Sequence, residues 1–131
     1  MRLAVCQLAA GDDIAANADT AEELVRQAAG QGARTVALPE YFLFYGDAAR
    51  FAEVAANHTP AAMERFSALA AELGIWLSLG SVLLEVPGSA KVANTSVIYD
   101  PAGAERARYA KRHLFDVDLP DRVYRESDVL E

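Results

Sequence analysis

Cysteine is all but missing: Cys6 is the only one in 131 residues. A lone thiol excludes an intrachain disulfide framework and a metal site built on several cysteines, and it fits a reducing compartment. Histidine occurs twice, at His58 and His113, with no metal-ligand spacing between them. Basic charge is also short, with 12 Lys and Arg against 19 Asp and Glu for a net charge of −7. Scattered cations on an acidic chain match neither a phosphate backbone nor an anionic membrane surface, so neither nucleic acid nor membrane is expected as a partner. No apolar run approaches the ~18 residues of a membrane span. The opening stretch Met1–Ala10 is interrupted by Gln7 and closes on Gly11-Asp12-Asp13, which reads as a first strand rather than a signal peptide and leaves the cytoplasm as the default location. A glycine-rich phosphate loop and a serine nucleophile elbow are both lacking.

What is present is the composition of one folded domain: 53% hydrophobic and 24% charged residues, over a length that buries a core without staples. Leu3 to Leu8 form a compact apolar run, expected as a buried strand. A helix begins between Asp13 and Thr20, with Thr20 and Glu23 at capping-box spacing. Ala21, Leu24, Val25, Ala28 and Ala29 form its apolar stripe, and Gly30 and Gly32 end it. Thr35–Leu38 is a second strand, stopped by Pro39. Residues Asp47–Asn57 make a short Ala-rich helix, and Thr59-Pro60 opens another whose inner face carries Met63, Phe66, Ala70 and Leu73. Ile75–Ser81, running on toward Val86, is a third strand. Val92–Tyr99 and Glu105–Lys111 form a hairpin across Asp100-Pro101-Ala102-Gly103, the residue order of a type I turn. Residues His113–Glu131, rich in Asp, Arg and Pro, read as irregular loop. The order β-α-β-α-α-β-β-β predicts an α/β fold with a mostly parallel sheet and a late antiparallel hairpin.

Few side chains stand out as chemical candidates. Glu40 lies just past the carboxyl end of a strand, where α/β sheets bind ligands; a solvated post-strand carboxylate fits the position equally well. In the strand ending at Lys111, Ala107, Tyr109 and Lys111 share the less polar face, so the lysine is in phase with the expected core side. An inward lysine needs a carboxylate partner or a function; the other reading is a stem lying on apolar surface with its ammonium in water. Glu126, in a polar loop, reads on its own as a surface carboxylate. Cys6 sits inside a strand, where cysteine behaves as a small buried hydrophobe.

Taken in order, several stretches resemble the nitrilase superfamily of carbon–nitrogen hydrolases. Leu38-Pro39-Glu40-Tyr41-Phe42 is similar to that family's glutamate motif. Asn94-Thr95-Ser96 with Tyr99-Asp100-Pro101 and Gly103 is similar to its central hairpin, and Tyr109-Ala110-Lys111-Arg112-His113-Leu114-Phe115-Asp116 to its lysine motif. Asp116-Val117-Asp118-Leu119-Pro120 with Tyr124-Arg125-Glu126-Ser127 resembles the branch of the omega-amidases and deaminated-glutathione amidases. The resemblance implies part of a four-layer α-β-β-α sandwich and a Glu-Lys-Cys triad, with no metal or organic cofactor.

By that resemblance Glu40 is the general base, Lys111 stabilises the oxyanion, and Glu126 is an additional glutamate that positions lysine and substrate. The nucleophilic cysteine is expected beyond this chain, because Cys6 does not match its position. Arg112 departs from the family pattern, which favours an apolar residue there. The expectation is therefore that residues 1–131 are the N-terminal portion of a single carbon–nitrogen hydrolase domain. The parent protein would hydrolyse the non-peptide amide of a small carboxylate-bearing substrate and pair with copies of itself. A catalytically inactive binding or assembly module is the alternative, as is a same-family nitrilase or N-carbamoyl hydrolase. An exposed apolar sheet face is expected where further layers would dock.

Overall fold

A computed structural model describes residues 1–131. Its main sheet contains six strands: β1 (Leu3–Val5), β2 (Thr35–Ala37), β3 (Trp76–Ser78), β4 (Val82–Glu85), β5 (Val92–Tyr99) and β6 (Glu105–Ala110). β1, β2 and β3 run parallel. β5 is antiparallel to its neighbours, with β3 and β4 paired along one edge and β6 along the other. The stretch expected as one strand, Ile75 to Ser81 and onward, is broken between β3 and β4 at Gly80, which has φ 62°. That kink lets one segment serve two halves of β5, and it has a further role at the site below.

Three helices, α1 (Ile14–Gly30), α2 (Phe51–Asn57) and α3 (Thr59–Leu73), complete the framework. Asp13 caps α1 by accepting the Ala16 amide at 3.0 Å. The expected Thr20–Glu23 capping box is not used: Thr20 lies inside the helix and donates its hydroxyl to the Ala16 carbonyl at 2.8 Å. Asp13 prevails because it starts the helix seven residues earlier, gaining two further turns of backbone hydrogen bonds. α3 opens on Pro60, whose missing N–H costs nothing in a first turn, and ends at left-handed Gly74.

α1 and α3 cover one face of the sheet, and Ala21, Val25, Phe66 and Ala70 join Val36, Leu77 and Val97 in a continuous core. The buried side of α3 is turned from the expected one, with Ala62 and Leu69 inside and Met63 and Leu73 only partly covered. α2 packs on β4 in a second cluster holding Phe44, Val54, Leu83, Val92 and Leu130. No helix is long and apolar enough to cross a membrane.

The other face of the sheet carries no layer. Leu3, Val5, Trp76 and Tyr109 are exposed on it, as expected for an open apolar face. Two readings made from the sequence change here. β1 is an edge strand, and only Ala4, between Leu3 and Val5, packs onto the core. The Ala107–Tyr109–Lys111 side of β6 faces this open side, and every residue of the strand is exposed. Its alternation was read correctly, but the side it names is open in this chain.

The segment read as irregular, 113–131, is ordered. β7 (Asp116–Asp118) and β8 (Val123–Arg125) form a separate hairpin, Arg125 pairs with Asp118, and Leu130 is buried against Val92. Period-two alternation in Phe115-Asp116-Val117-Asp118-Leu119 was the available signal, and its Pro and Asp content masked it.

The β5–β6 turn forms as read. The Gly103 amide donates to the Asp100 carbonyl at 2.9 Å, and Asp100 Oδ1 accepts from Ala102 and Ala104. The Arg106 guanidinium lowers the Asp100 carboxyl; burial opposes it, and the two backbone amides add to the lowering. A lowered folded value means that the stabilisation is complete above the ordinary carboxylate range near pH ~4 and is lost as pH falls through the folded value. Asp100→Asn should therefore lower the melting temperature at pH 7 and make the acid loss shallower. Melting curves at pH 7 and pH 3 test this, and an unchanged acid slope would rule it out.

Candidate active site

The three carboxylate and ammonium groups singled out in the sequence converge at one end of the sheet. Glu40 follows β2 in the segment Leu38–Phe44. This segment is pinned by burial of Phe42, Leu43 and Phe44 at 0–2% exposure, each such side chain contributing roughly 1.5–3 kcal/mol. Two further devices aim the carboxylate. Tyr41 adopts φ 55°, a left-handed conformation rare outside glycine and held here by its surroundings. Its amide donates to Ser81 Oγ at 3.0 Å. Gly80 lies so close that an added Cβ would sit 2.2 Å from the Pro39 carbonyl oxygen.

Lys111 follows β6, and its amide donates to the Asn94 carbonyl of β5 at 2.8 Å. Its ammonium is 3.2 Å from Glu40 Oε1 and 2.9 Å from Glu126 Oε2. The carboxylate partner expected for Lys111 is therefore supplied twice, although its side of β6 is the open one. Glu126 is not a surface group: it is 4% exposed. Its Oε2 also accepts the Phe115 amide at 2.6 Å, and its Oε1 accepts the Tyr41 hydroxyl at 3.3 Å. The β7–β8 hairpin turns the chain back so that this glutamate reaches under Lys111.

Burial works against the charge of Lys111, but hydrogen bonds to Glu126 and then Glu40 outweigh it and raise its pKa above the ordinary lysine value. Burial, reinforced by the Glu126 charge, raises the Tyr41 phenol, so this group stays a hydroxyl donor. The Tyr124 phenol is raised for the same two reasons in the same order.

Glu40 and Lys111 line two cavities. One, of ≈ 590 Å³, is lined by Tyr45, Phe115, Leu119 and Tyr124 together with Arg122 and Glu126. The other, of ≈ 280 Å³, has mostly polar residues in its lining, among them Ser81, Asn94, Ser96 and Tyr109. Cys6 lines neither. Its amide bonds the Ala37 carbonyl, its side chain is 8% exposed within the main core, and burial raises its thiol. A residue whose role was missed is Asn94, which donates to Glu40 Oε1 at 2.7 Å. Its signal was a buried amide in a strand otherwise rich in Val, Ala and Ile.

The architecture and site define a class: an α/β layered protein with an ammonium held between two carboxylates at a sheet's end. The family described as "Carbon-nitrogen hydrolase" matches residues 2–131. This chain belongs to the carbon–nitrogen hydrolase family. It is 37% identical over 130 residues to omega-amidase NIT2 of Homo sapiens, covering 98% of this chain and 46% of that protein. It is 36% identical over 126 residues to deaminated glutathione amidase of Synechocystis, covering 95% and 46%. Among solved structures, the Caenorhabditis elegans NitFhit protein superposes with TM-score 0.90 at 33% identity, covering 98% of this chain and 32% of that one. An amidase from Nesterenkonia gives 0.77 at 30% identity, covering 88% and 44%. The chain thus spans about half the length of the curated relatives it matches. These matches place its α/β architecture within the α-β-β-α sandwich type.

Proposed function

We propose that this chain carries the general base and the oxyanion-stabilising cation of an amidase that acts on a small carboxylate-bearing amide. Its cysteine nucleophile is contributed from outside residues 1–131. The observation that carries this reading is the Lys111 ammonium held between Glu40 and Glu126. Glu40 takes the proton of a thiol as sulfur bonds to the amide carbon, and the carbonyl oxygen becomes an oxyanion facing Lys111. The C–N bond then breaks and the nitrogen leaves with the proton from Glu40. Water adds to the thioester, giving its proton to Glu40; the C–S bond breaks, and the proton returns to sulfur.

Two features of the relatives support the reading. The relatives are named for amidase activity. One Nesterenkonia structure is described as showing covalent addition of the acetamide moiety of fluoroacetamide at the active site cysteine. Cys6, buried in the core and outside both cavities, is not a group that can meet a substrate beside Glu40. Residues 1–131 are accordingly read as the N-terminal portion of one domain whose remaining layers cover the open sheet face. Arg122, which makes no ion pair while Arg125 is committed to Asp118, supplies the cation for a substrate carboxylate.

Ammonia release from a short ω-amide of a dicarboxylic acid provides the test. The 131-residue chain alone should release none. A longer chain with the complementary layers and a cysteine should turn over, with Glu40→Gln and Lys111→Met each reducing turnover by at least ~10³-fold. Turnover by the 131-residue chain, whether or not it survives Cys6→Ala, would sink the nucleophile assignment. An extended chain that binds the amide without releasing ammonia would favour a binding module.

A further inference from the structure

We infer that Asn94 is the positioning residue of Glu40: its amide anchors one carboxylate oxygen and leaves the other to take the proton. The inference rests on the reading of Glu40 as a base. Asn94 Nδ2 donates to Glu40 Oε1 at 2.7 Å, and Lys111 Nζ reaches that same oxygen at 3.2 Å. Glu40 Oε2 receives no hydrogen bond from the chain. A carboxylate with one oxygen tied down by two donors and the other free is oriented for proton transfer, since only the free oxygen presents its lone pairs.

The orientation of the Asn94 amide follows from chemistry. An ionised carboxylate only accepts, so the NH₂ side must face Glu40 and Oδ1 must face away. Asn94 is 2% exposed, and its Oδ1 is a buried acceptor with no donor. Such a group carries a desolvation cost that an apolar residue at the same strand position would avoid. Asparagine is also a poor strand former. The bond to Glu40 is what the side chain provides in return. The same residue also fixes the other half of the pair, because its backbone carbonyl accepts the Lys111 amide at 2.8 Å. One residue of β5 thus holds Glu40 through its side chain and Lys111 through its backbone, which sets their separation. A substitution at position 94 removes the first link and keeps the second.

The test reads the Lys111 ammonium by NMR titration in the 131-residue chain, in Asn94→Ala, in Glu40→Ala and in the double variant. Asn94→Ala should lower the Lys111 pKa by about half a unit or more, because an unanchored Glu40 pairs with it less of the time. In the Glu40→Ala background the same substitution should change nothing further, whereas a merely structural role would give the same effect in both. An unchanged titration in Asn94→Ala, or an equal effect with and without Glu40, overturns the assignment. A second measurement needs no change at position 94. In the unsubstituted chain the Asn94 amide proton donated to Glu40 should lie downfield of its geminal partner, and the separation should collapse in Glu40→Ala. An identical separation in both chains overturns the assignment even if Asn94→Ala fails to fold. Neither readout involves turnover. Failure of an extended chain to release ammonia, with these results intact, would defeat the amidase reading and leave Asn94 in its role.

Discussion

Replacing Glu126 by alanine should destabilise the chain by roughly 3 kcal/mol and lower the pKa of Lys111. The carboxylate is 4% exposed and serves three partners: the Lys111 ammonium at 2.9 Å, the Phe115 amide at 2.6 Å and the Tyr41 hydroxyl at 3.3 Å. Alanine strands all three. An amide or hydroxyl left without its acceptor at a buried site costs about 1–3 kcal/mol, and a half-buried ammonium deprived of one of its two carboxylates adds to that. Glu126→Gln separates the contributions. It keeps an oxygen for the Phe115 amide and nearly the same volume but removes the charge, so roughly half the loss should return while Lys111 stays lowered.

The pH dependence has a definite sign. Lys111 is raised in the folded chain, so its pairing contributes fully below the ordinary lysine value of ~10.4 and is lost as pH rises through the higher folded value. The gap between the chain and Glu126→Ala should therefore be widest near neutral pH and should narrow above about pH 10.5. Denaturant titrations at pH 7 and pH 11 measure it. A variant as stable as the parent, or a Lys111 titration that does not move, would show that the hairpin's return to Lys111 is incidental.

How much of this could be read from the sequence differs residue by residue, and the differences have physical causes. Strand and helix order followed from periodicity, because Val36, Leu77 and Val97 must meet the stripe of α1 to form a core. Glu40 and Lys111 were accessible because each sits at the end of a strand, and strand ends have a known relation to the sheet. Spacing alone could not join residues 71 apart; their contact was expected only through the family resemblance. On its own Glu126 looked like a surface group, because burial of a charge is decided by partners, and its partners lie on the glutamate-bearing loop and in the lysine motif; only the resemblance put it beside the lysine. The open face shows the opposite failure. The alternation in Ala107, Tyr109 and Lys111 correctly picked out one side of β6, but alternation reports a side and not what covers it. The kink at Gly80 escaped because a glycine within an apolar run looks like any other strand residue until the neighbouring backbone is known.

Gly80 is where that neighbouring backbone bears most directly on chemistry. Gly80→Ala should cost roughly 3 kcal/mol and pull Glu40 off Lys111. Two costs add. At φ 62° a Cβ meets its own backbone, at about 1–2 kcal/mol. The same Cβ would also lie 2.2 Å from the Pro39 carbonyl oxygen and 2.3 Å from that of Leu38, so backbone must move, at about 1–3 kcal/mol. Those carbonyls precede Glu40 directly, so relief of the clash displaces the carboxylate, and a pair at 3.2 Å has little reach to spare. Misplacement by ~1 Å is enough to cost ~10²-fold in a positioned reaction. Gly74→Ala is the control. It has the same φ of 62°, but nothing lies within 4 Å of its Cβ position. It should therefore lose only the backbone cost of ~1–2 kcal/mol and leave the site untouched. Chemical unfolding of both variants, with the Lys111 titration as the readout of the site, separates the two costs. Equal losses at Gly80 and Gly74, with Lys111 unchanged in each, would mean that the close approach to Pro39 does not hold Glu40 in place.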